Sequence, residues 1–143
     1  MTAVDDCKLV DLPRFFMPEG SITPLEGGGD EVPFEIERVF YMYDVVGGAV
    51  RGGHAHMELE QFVVATMGGL TVVLWDGERE RHVELNHAYQ GLYVPPPIWM
   101  DLVNFSSGAV AVVLASAHYD ESDYIRDREQ FVAYRRGLST SSS

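Results

Sequence analysis

Gly48-Ala49-Val50-Arg51-Gly52-Gly53-His54-Ala55-His56-Met57-Glu58-Leu59-Glu60 is the stretch on which the reading of this chain turns. A glycine turn leads into His-x-His, and a carboxylate follows four residues after the second histidine. On a strand alternate side chains share a face, so His54, His56 and Glu60 are expected to point into one cavity. Two imidazoles and a carboxylate in one pocket suit either of two tasks, holding a metal or moving protons near neutral pH.

Outward from this stretch, strand signals dominate. Residues 34–46 are rich in aromatic and β-branched side chains and end at Gly47-Gly48. Residues 59–66 form a mostly apolar run closed by Met67-Gly68-Gly69. Residues 70–75 form another, followed by Asp76-Gly77, a strong hairpin signal, with a return strand over 79–85. Shorter runs at 92–94, 99–105 and 110–116 are separated by Pro95-Pro96-Pro97 and Ser106-Ser107-Gly108. Short strands at close spacing with Gly, Pro and Asn between them predict a β-sandwich or barrel. One helix is expected near the C-terminus, with Asp120-Glu121-Ser122-Asp123 as its acidic cap and an end before Gly137. Glu26 to Asp30 reads as a surface loop, and 138–143 as a frayed polar tail.

Composition narrows the function classes. A chain of 143 residues fits one hydrophobic core, and apolar and aromatic fractions of 46% and 11% fit a folded one. A net charge of −12 argues against a nucleic acid polymer as partner, while leaving room for a small anionic ligand held by local arginines. No apolar run is long enough for a membrane span, and Met1 to Asp11 lacks the apolar core of a secretory signal. Cys7, the single cysteine, can form no internal disulfide, which fits a reducing cytoplasm.

The second half supplies a counterpart to the opening stretch. Pro95-Pro96-Pro97-Ile98-Trp99-Met100-Asp101-Leu102-Val103-Asn104 follows Gly91 by a short apolar strand. Together the two segments resemble the paired motifs of the cupin superfamily, which implies an all-β, jelly-roll β-barrel with a short C-terminal helix over 1–143, its core about 8–134. In metal-binding cupins the second motif carries a third histidine before a terminal Asn. Here Asn104 is in place, but Met100 stands at the histidine position. A thioether is a poor ligand for the divalent metals that favour imidazole and carboxylate.

The resemblance narrows further. Arg51-Gly52-Gly53-His54-Ala55-His56, Leu59-Glu60-Gln61, Gly91-Leu92-Tyr93-Val94-Pro95 and Tyr119-Asp120-Glu121-Ser122-Asp123-Tyr124-Ile125-Arg126 together look like the sugar-nucleotide 3,4-ketoisomerases, across nearly the whole chain. That family implies conversion of dTDP-4-oxo-6-deoxy-glucose to its 3-oxo isomer, usually ahead of an aminotransferase in deoxysugar biosynthesis. It also implies no metal, no cofactor, and a homodimer that exchanges N-terminal strands. Met100 departs from the family's usual basic or imidazole side chain after this tryptophan.

The chemistry suits the residues. Carbonyl migration needs a proton taken from C3 and one returned at C4, work for a group of near-neutral pKa. His54 is expected to be the carbon acid–base and His56 its partner on oxygen, though the two roles could be exchanged. Tyr43 is a candidate proton relay or sugar contact, or else barrel packing. Arg51 is a candidate phosphate or sugar anchor, or a surface ion pair. Glu60 could orient a histidine or simply satisfy an interior hydrogen bond. Tyr93 and Trp99 could stack on the base or sugar ring, or pack in the core or rim. His82, His87 and His118 are expected at the surface. Other readings of the same residues are a sugar-nucleotide 3,5-epimerase, a metal-dependent cupin using His54, His56 and Glu60, and a non-catalytic ligand-binding cupin.

Overall fold

The computed structural model describes residues 1–141. Twelve strands precede the only α-helix among these residues: β1 (Lys8–Asp11), β2 (Phe15–Met17), β3 (Gly20–Ile22), β4 (Arg38–Met42), β5 (Arg51–His56), β6 (Gln61–Met67), β7 (Leu70–Trp75), β8 (Glu80–Leu85), β9 (Gln90–Val94), β10 (Trp99–Val103), β11 (Val110–Ala115), β12 (Tyr124–Ile125) and α1 (Arg128–Ser141). Two five-stranded sheets carry the fold, in the orders β1-β9-β6-β11-β4 and β12-β5-β10-β7-β8, with every pairing antiparallel. This is the expected all-β jelly roll. Its hydrogen bonding leaves two facing sheets, so the barrel is closed by packing and not by a continuous ladder.

Alternation along the strands builds the core between the sheets. Val63 and Ala65 of β6, Leu92 and Val94 of β9, and Ala111 and Val113 of β11 meet Leu70, Val72 and Leu74 of β7 and Met100 and Leu102 of β10. The residues between them face outward. Phe62 and Val64 pack on Val32 and Phe34 over the first sheet, and Ala55, Trp99, Ile125 and Phe131 form a third cluster beneath α1.

The strands predicted from 59 to 116 are all present: β7 keeps the predicted bounds, β9 starts two residues earlier, β6 is shifted toward Met67, β8, β10 and β11 are shortened at one end, and the run predicted over 34–46 contracts to β4. Two expectations near the C-terminus change. Asp120 does cap a turn, its side chain accepting from Ser122 N, but the turn is a single 3-10 turn at Glu121–Asp123. The chain then forms β12, which pairs with β5. The helix begins later, where Asp127 Oδ1 accepts from Gln130 N at 2.9 Å. It also runs through Gly137 to Ser141, since an exposed glycine weakens a helix without breaking it. The tail expected to fray over 138–143 is therefore helical as far as Ser141, and 142–143 lie outside the described residues.

Candidate active site

The open end of the jelly roll is built around β5, whose unusual feature is a bulge. Opposite β10, Met100 pairs with His54, but Asp101 already pairs with Gly52, so Gly53 is the extra residue. Gly52 and Gly53 have φ of +83° and +72°, and a Cβ on Gly52 would stand 2.8 Å from the Met100 carbonyl. The double glycine thus lets the strand swell against its neighbour, and from there His54 and His56 alternate inward.

The two imidazoles meet edge-on, with centroids 5.0 Å apart. The Tyr124 ring lies 4.8 Å from His54 and 4.3 Å from His56, because β12 pairs Tyr124 directly with His56. His56 is buried, and its Nδ1 lies 3.1 Å from Asp123 Oδ2. A carboxylate there fixes the proton on Nδ1, which donates, and leaves the lone pair on Nε2. Asp123 is itself held, its Oδ1 accepting from Glu58 N at 2.8 Å and its Oδ2 from Leu59 N at 3.2 Å. His54 contrasts with this, since its buried Nδ1 has no hydrogen-bond partner among the described residues.

Burial holds the His54 imidazole below its usual range, with the Gly52 backbone opposing and the Arg126 charge adding to the effect. Burial also pushes His56 down, helped by His54 beside it and opposed by Asp123. Both rings are therefore neutral near pH 7, able to accept a proton.

His54 opens onto a cleft of about 480 Å³ that also meets Arg38, Gln61, Met100, Tyr124 and Arg126. Arg126 lies over the Tyr124 ring at 4.3 Å and forms a two-pronged pair with Glu121, at 2.7 and 2.9 Å. That pair, together with the Tyr119 hydroxyl, holds the Glu121 carboxyl near 2. Arg51 lines this cleft and also a neighbouring one of about 400 Å³ in which Tyr43 sits. His56 faces a third cavity of about 240 Å³, lined by Arg38, Asp123 and His118.

The other sequence candidates lie elsewhere. Glu60 does not join the histidines. The chain turns after His56, and on β6 it is Gln61, Val63 and Ala65 that face inward, leaving Glu60 outward. There its carboxylate accepts from the Tyr93 hydroxyl at 2.5 Å. Tyr93 is outward because Leu92 and Val94 face the core. Trp99 sits beneath α1, 5.8 Å from Phe131 and 6.5 Å from Trp75. Tyr43 is exposed. Asn104 adopts φ +55° at the end of β10, and its amide donates to Thr71 Oγ1 at 3.4 Å. Among the described residues no three His, Cys, Asp or Glu side chains are grouped to hold a metal. Of the remaining histidines, His82 pairs with Glu80 and His118 lies 3.7 Å from Glu37, both exposed, while His87 stacks on Tyr89.

Sequence reasoning missed Asp123, Tyr124, Arg126, Arg38 and Gln61 as members of the site. The first three belong to the quoted Tyr119–Arg126 block, which reads as a helix cap over 120–123 and helix after it; nothing local signals a two-residue strand docking on β5.

Comparison with known proteins settles the family. The family described as FdtA: WxcM-like, C-terminal, matches residues 5–136. A TDP-4-oxo-6-deoxy-α-D-glucose-3,4-oxoisomerase of Aneurinibacillus thermoaerophilus is 39% identical over 127 residues, covering 89% of this chain and 91% of that protein. The chain belongs to the sugar-nucleotide 3,4-ketoisomerase family. Its ketoisomerase fold superposes on a histidine-to-asparagine variant of the 3,4-ketoisomerase QdtA from Thermoanaerobacterium thermosaccharolyticum, in complex with TDP-4-keto-6-deoxyglucose. The TM-score is 0.90 at 32% identity, over 94% of this chain and 97% of that one. A 3,4-ketoisomerase from Helicobacter canadensis is 38% identical with a TM-score of 0.88, over 92% and 98% of the two chains. Membership gives the histidine cleft an isomerase context, and no helix among the described residues is long and apolar enough to cross a membrane.

Proposed function

We propose that this ketoisomerase moves the carbonyl of dTDP-4-oxo-6-deoxy-glucose from C4 to C3 by histidine acid–base catalysis, without a metal or cofactor. The observation that carries the mechanism is the pair of neutral imidazoles on one strand, one open to a cleft and one oriented by a carboxylate. His54 removes the C3 proton, the C3–H electron pair becomes the C3–C4 double bond, and the C4 carbonyl pair moves onto O4. The O3 hydroxyl proton then leaves as O4 gains one. Collapse of the O3 oxyanion to a ketone sends the double-bond pair to C4, which takes a proton from imidazolium. C3 is oxidised and C4 reduced within one molecule, so no outside electron carrier enters.

His56, with Nε2 free because Asp123 holds Nδ1, serves the oxygen transfers, and Asp123 is its positioning residue. Arg51, at the join of two clefts, is placed to hold the diphosphate, and Tyr43 to contact what extends past it. In this reading Glu60, Tyr93 and Trp99 stiffen the walls and do not touch the sugar. The 3-oxo product suits amination at C3, and the buried Cys7 thiol suits a reducing cytoplasm.

The same reading includes a homodimer. The β2–β3 hairpin pairs with neither large sheet, yet exposes Phe15, Phe16, Met17 and Ile22. Light scattering should give twice the chain mass, and a monomer at micromolar concentration would remove the dimer from the account.

For the reaction, purified protein mixed with dTDP-4-oxo-6-deoxy-glucose should yield the 3-oxo isomer by proton NMR. Tight binding of TDP with no turnover of the 4-oxo sugar would make this a non-catalytic cupin.

A further inference from the structure

Gln61 stands out among the polar groups of the cleft. It is only 4% exposed, it begins β6 on the inward-facing parity of Val63 and Ala65, and it lines the same cleft as His54, Met100 and Tyr124. Among the described residues the buried side-chain polar atoms without a partner are His54 Nδ1 and Trp99 Nε1; the Gln61 carboxamide is not one of them and lines the open cleft. Met100, Leu102 and Val113 line the same cleft, so Gln61 sets an uncharged donor and acceptor among apolar side chains beside His54.

We propose that Gln61 is a catalytic residue that holds the two vicinal oxygens of the enediol, donating from its NH₂ to the oxyanion and accepting with its carbonyl from the neighbouring hydroxyl. This rests on the ketoisomerase reading above and adds a group to it. The chemistry calls for such a residue. During the reaction the negative charge sits first on O4 and then on O3, while the other oxygen carries the proton. A carboxamide offers a donor and an acceptor side by side, matching adjacent oxygens in one plane. An imidazole beside them exchanges the protons, and the amide need not change its own protonation. Donors fixed where charge develops stabilise the transition state more than the ground state.

Two variants test it, each assayed for kcat, KM, TDP affinity by calorimetry and melting temperature. Gln61→Leu should lower kcat by about 10²-fold or more, leave TDP affinity within about twofold, and keep a melting temperature close to wild type because a side chain of similar size fills the same place. Gln61→Glu should also lose turnover near neutral pH, where a carboxylate repels the oxyanion, and should regain part of it on acidification as the protonated acid becomes a donor. Wild-type kcat in either variant would overturn the assignment. So would a kcat loss that tracks a fall in melting temperature in both variants, which marks a structural amide. A wild-type protein that binds TDP but never isomerises the 4-oxo sugar would instead sink the underlying reading, and with it this role.

Discussion

The sheet that carries β5 and β10 has two faces, and they are built to opposite specifications. On the inner face His54, Met100 and Tyr124 border a water-accessible cleft, one imidazole nitrogen lacks a partner, and burial holds both imidazoles neutral. On the outer face Ala55, Trp99, Ile125 and Phe131 close into an apolar cluster under α1, in which Trp99 Nε1 is likewise buried without a partner among the described residues. Trp99 and Met100, adjacent in sequence, belong to different faces and different jobs. Reactivity is kept where packing is incomplete, and the cost is carried by a face that packs completely. Arg128 extends the outer face to its edge, its guanidinium over Trp75 and Trp99 at 4.9 and 5.1 Å.

If the faces are separable, mutations should divide between turnover and stability. The largest effect belongs to His54→Asn, which should reduce kcat toward the upper end of roughly 10²–10⁴-fold with TDP binding and melting temperature near wild type. A fully active variant would end the assignment of His54. Next is Phe131→Ala on the outer face, which should cost about 3–5 kcal/mol of unfolding free energy in denaturant titration. Its kcat, measured well below the melting temperature, should stay within about threefold of wild type. A Phe131→Ala enzyme that is stable but slow would break the comparison, since the outer face would then be shaping the cleft.

Asp123→Asn sharpens the inner-face account. It should reduce kcat by about 10²-fold, while the amide oxygen can still accept from Glu58 N in place of Oδ1 and the Leu59 N bond to Oδ2 is lost. Because Asp123 raises the pKa of His56, its loss should also move the acid limb of the kcat profile to lower pH. An unmoved limb would mean that Asp123 only holds the turn.

The smallest effect is on stability against pH. Both histidines have folded pKa values below the usual 6.5. Above pH 6.5 they are neutral folded and unfolded, and the stability they allow is fully present. As pH falls from there the unfolded chain binds protons first, so stability should decline until the folded pKa values are passed. The decline in denaturation midpoint should be shallower in a His54→Asn/His56→Asn double variant, and an unchanged slope would show that other groups carry it.

The sequence was most readable where period and punctuation are local. Alternation and the glycine, proline and Asp76-Gly77 breaks marked the strands from 59 to 116. Legibility failed where a side chain's direction depends on a turn or a partner strand. Glu60 was grouped with His54 and His56 by carrying a period of two through a turn that resets it. Trp99 was open between substrate and packing, and only its parity on β10, opposite to that of Met100, puts it in the cluster under α1. Asp123 looked like a helix cap and Tyr124 like the start of the helix, because β12 is defined only by the strand it docks on. Gln61 gave no signal beyond its place in a family block, since which cleft a polar side chain lines is visible only once the strands are assembled.

The central claim, that His54 takes a proton from C3 and imidazolium returns one to C4, is tested most directly by running the reaction in deuterated water with dTDP-4-oxo-6-deoxy-glucose and reading the product by NMR. The account predicts a carbonyl at C3 and solvent deuterium at C4, with neither appearing when His54→Asn replaces the wild-type protein. A product that keeps its carbonyl at C4 and carries deuterium at C3 or C5 would contradict it and make this chain an epimerase.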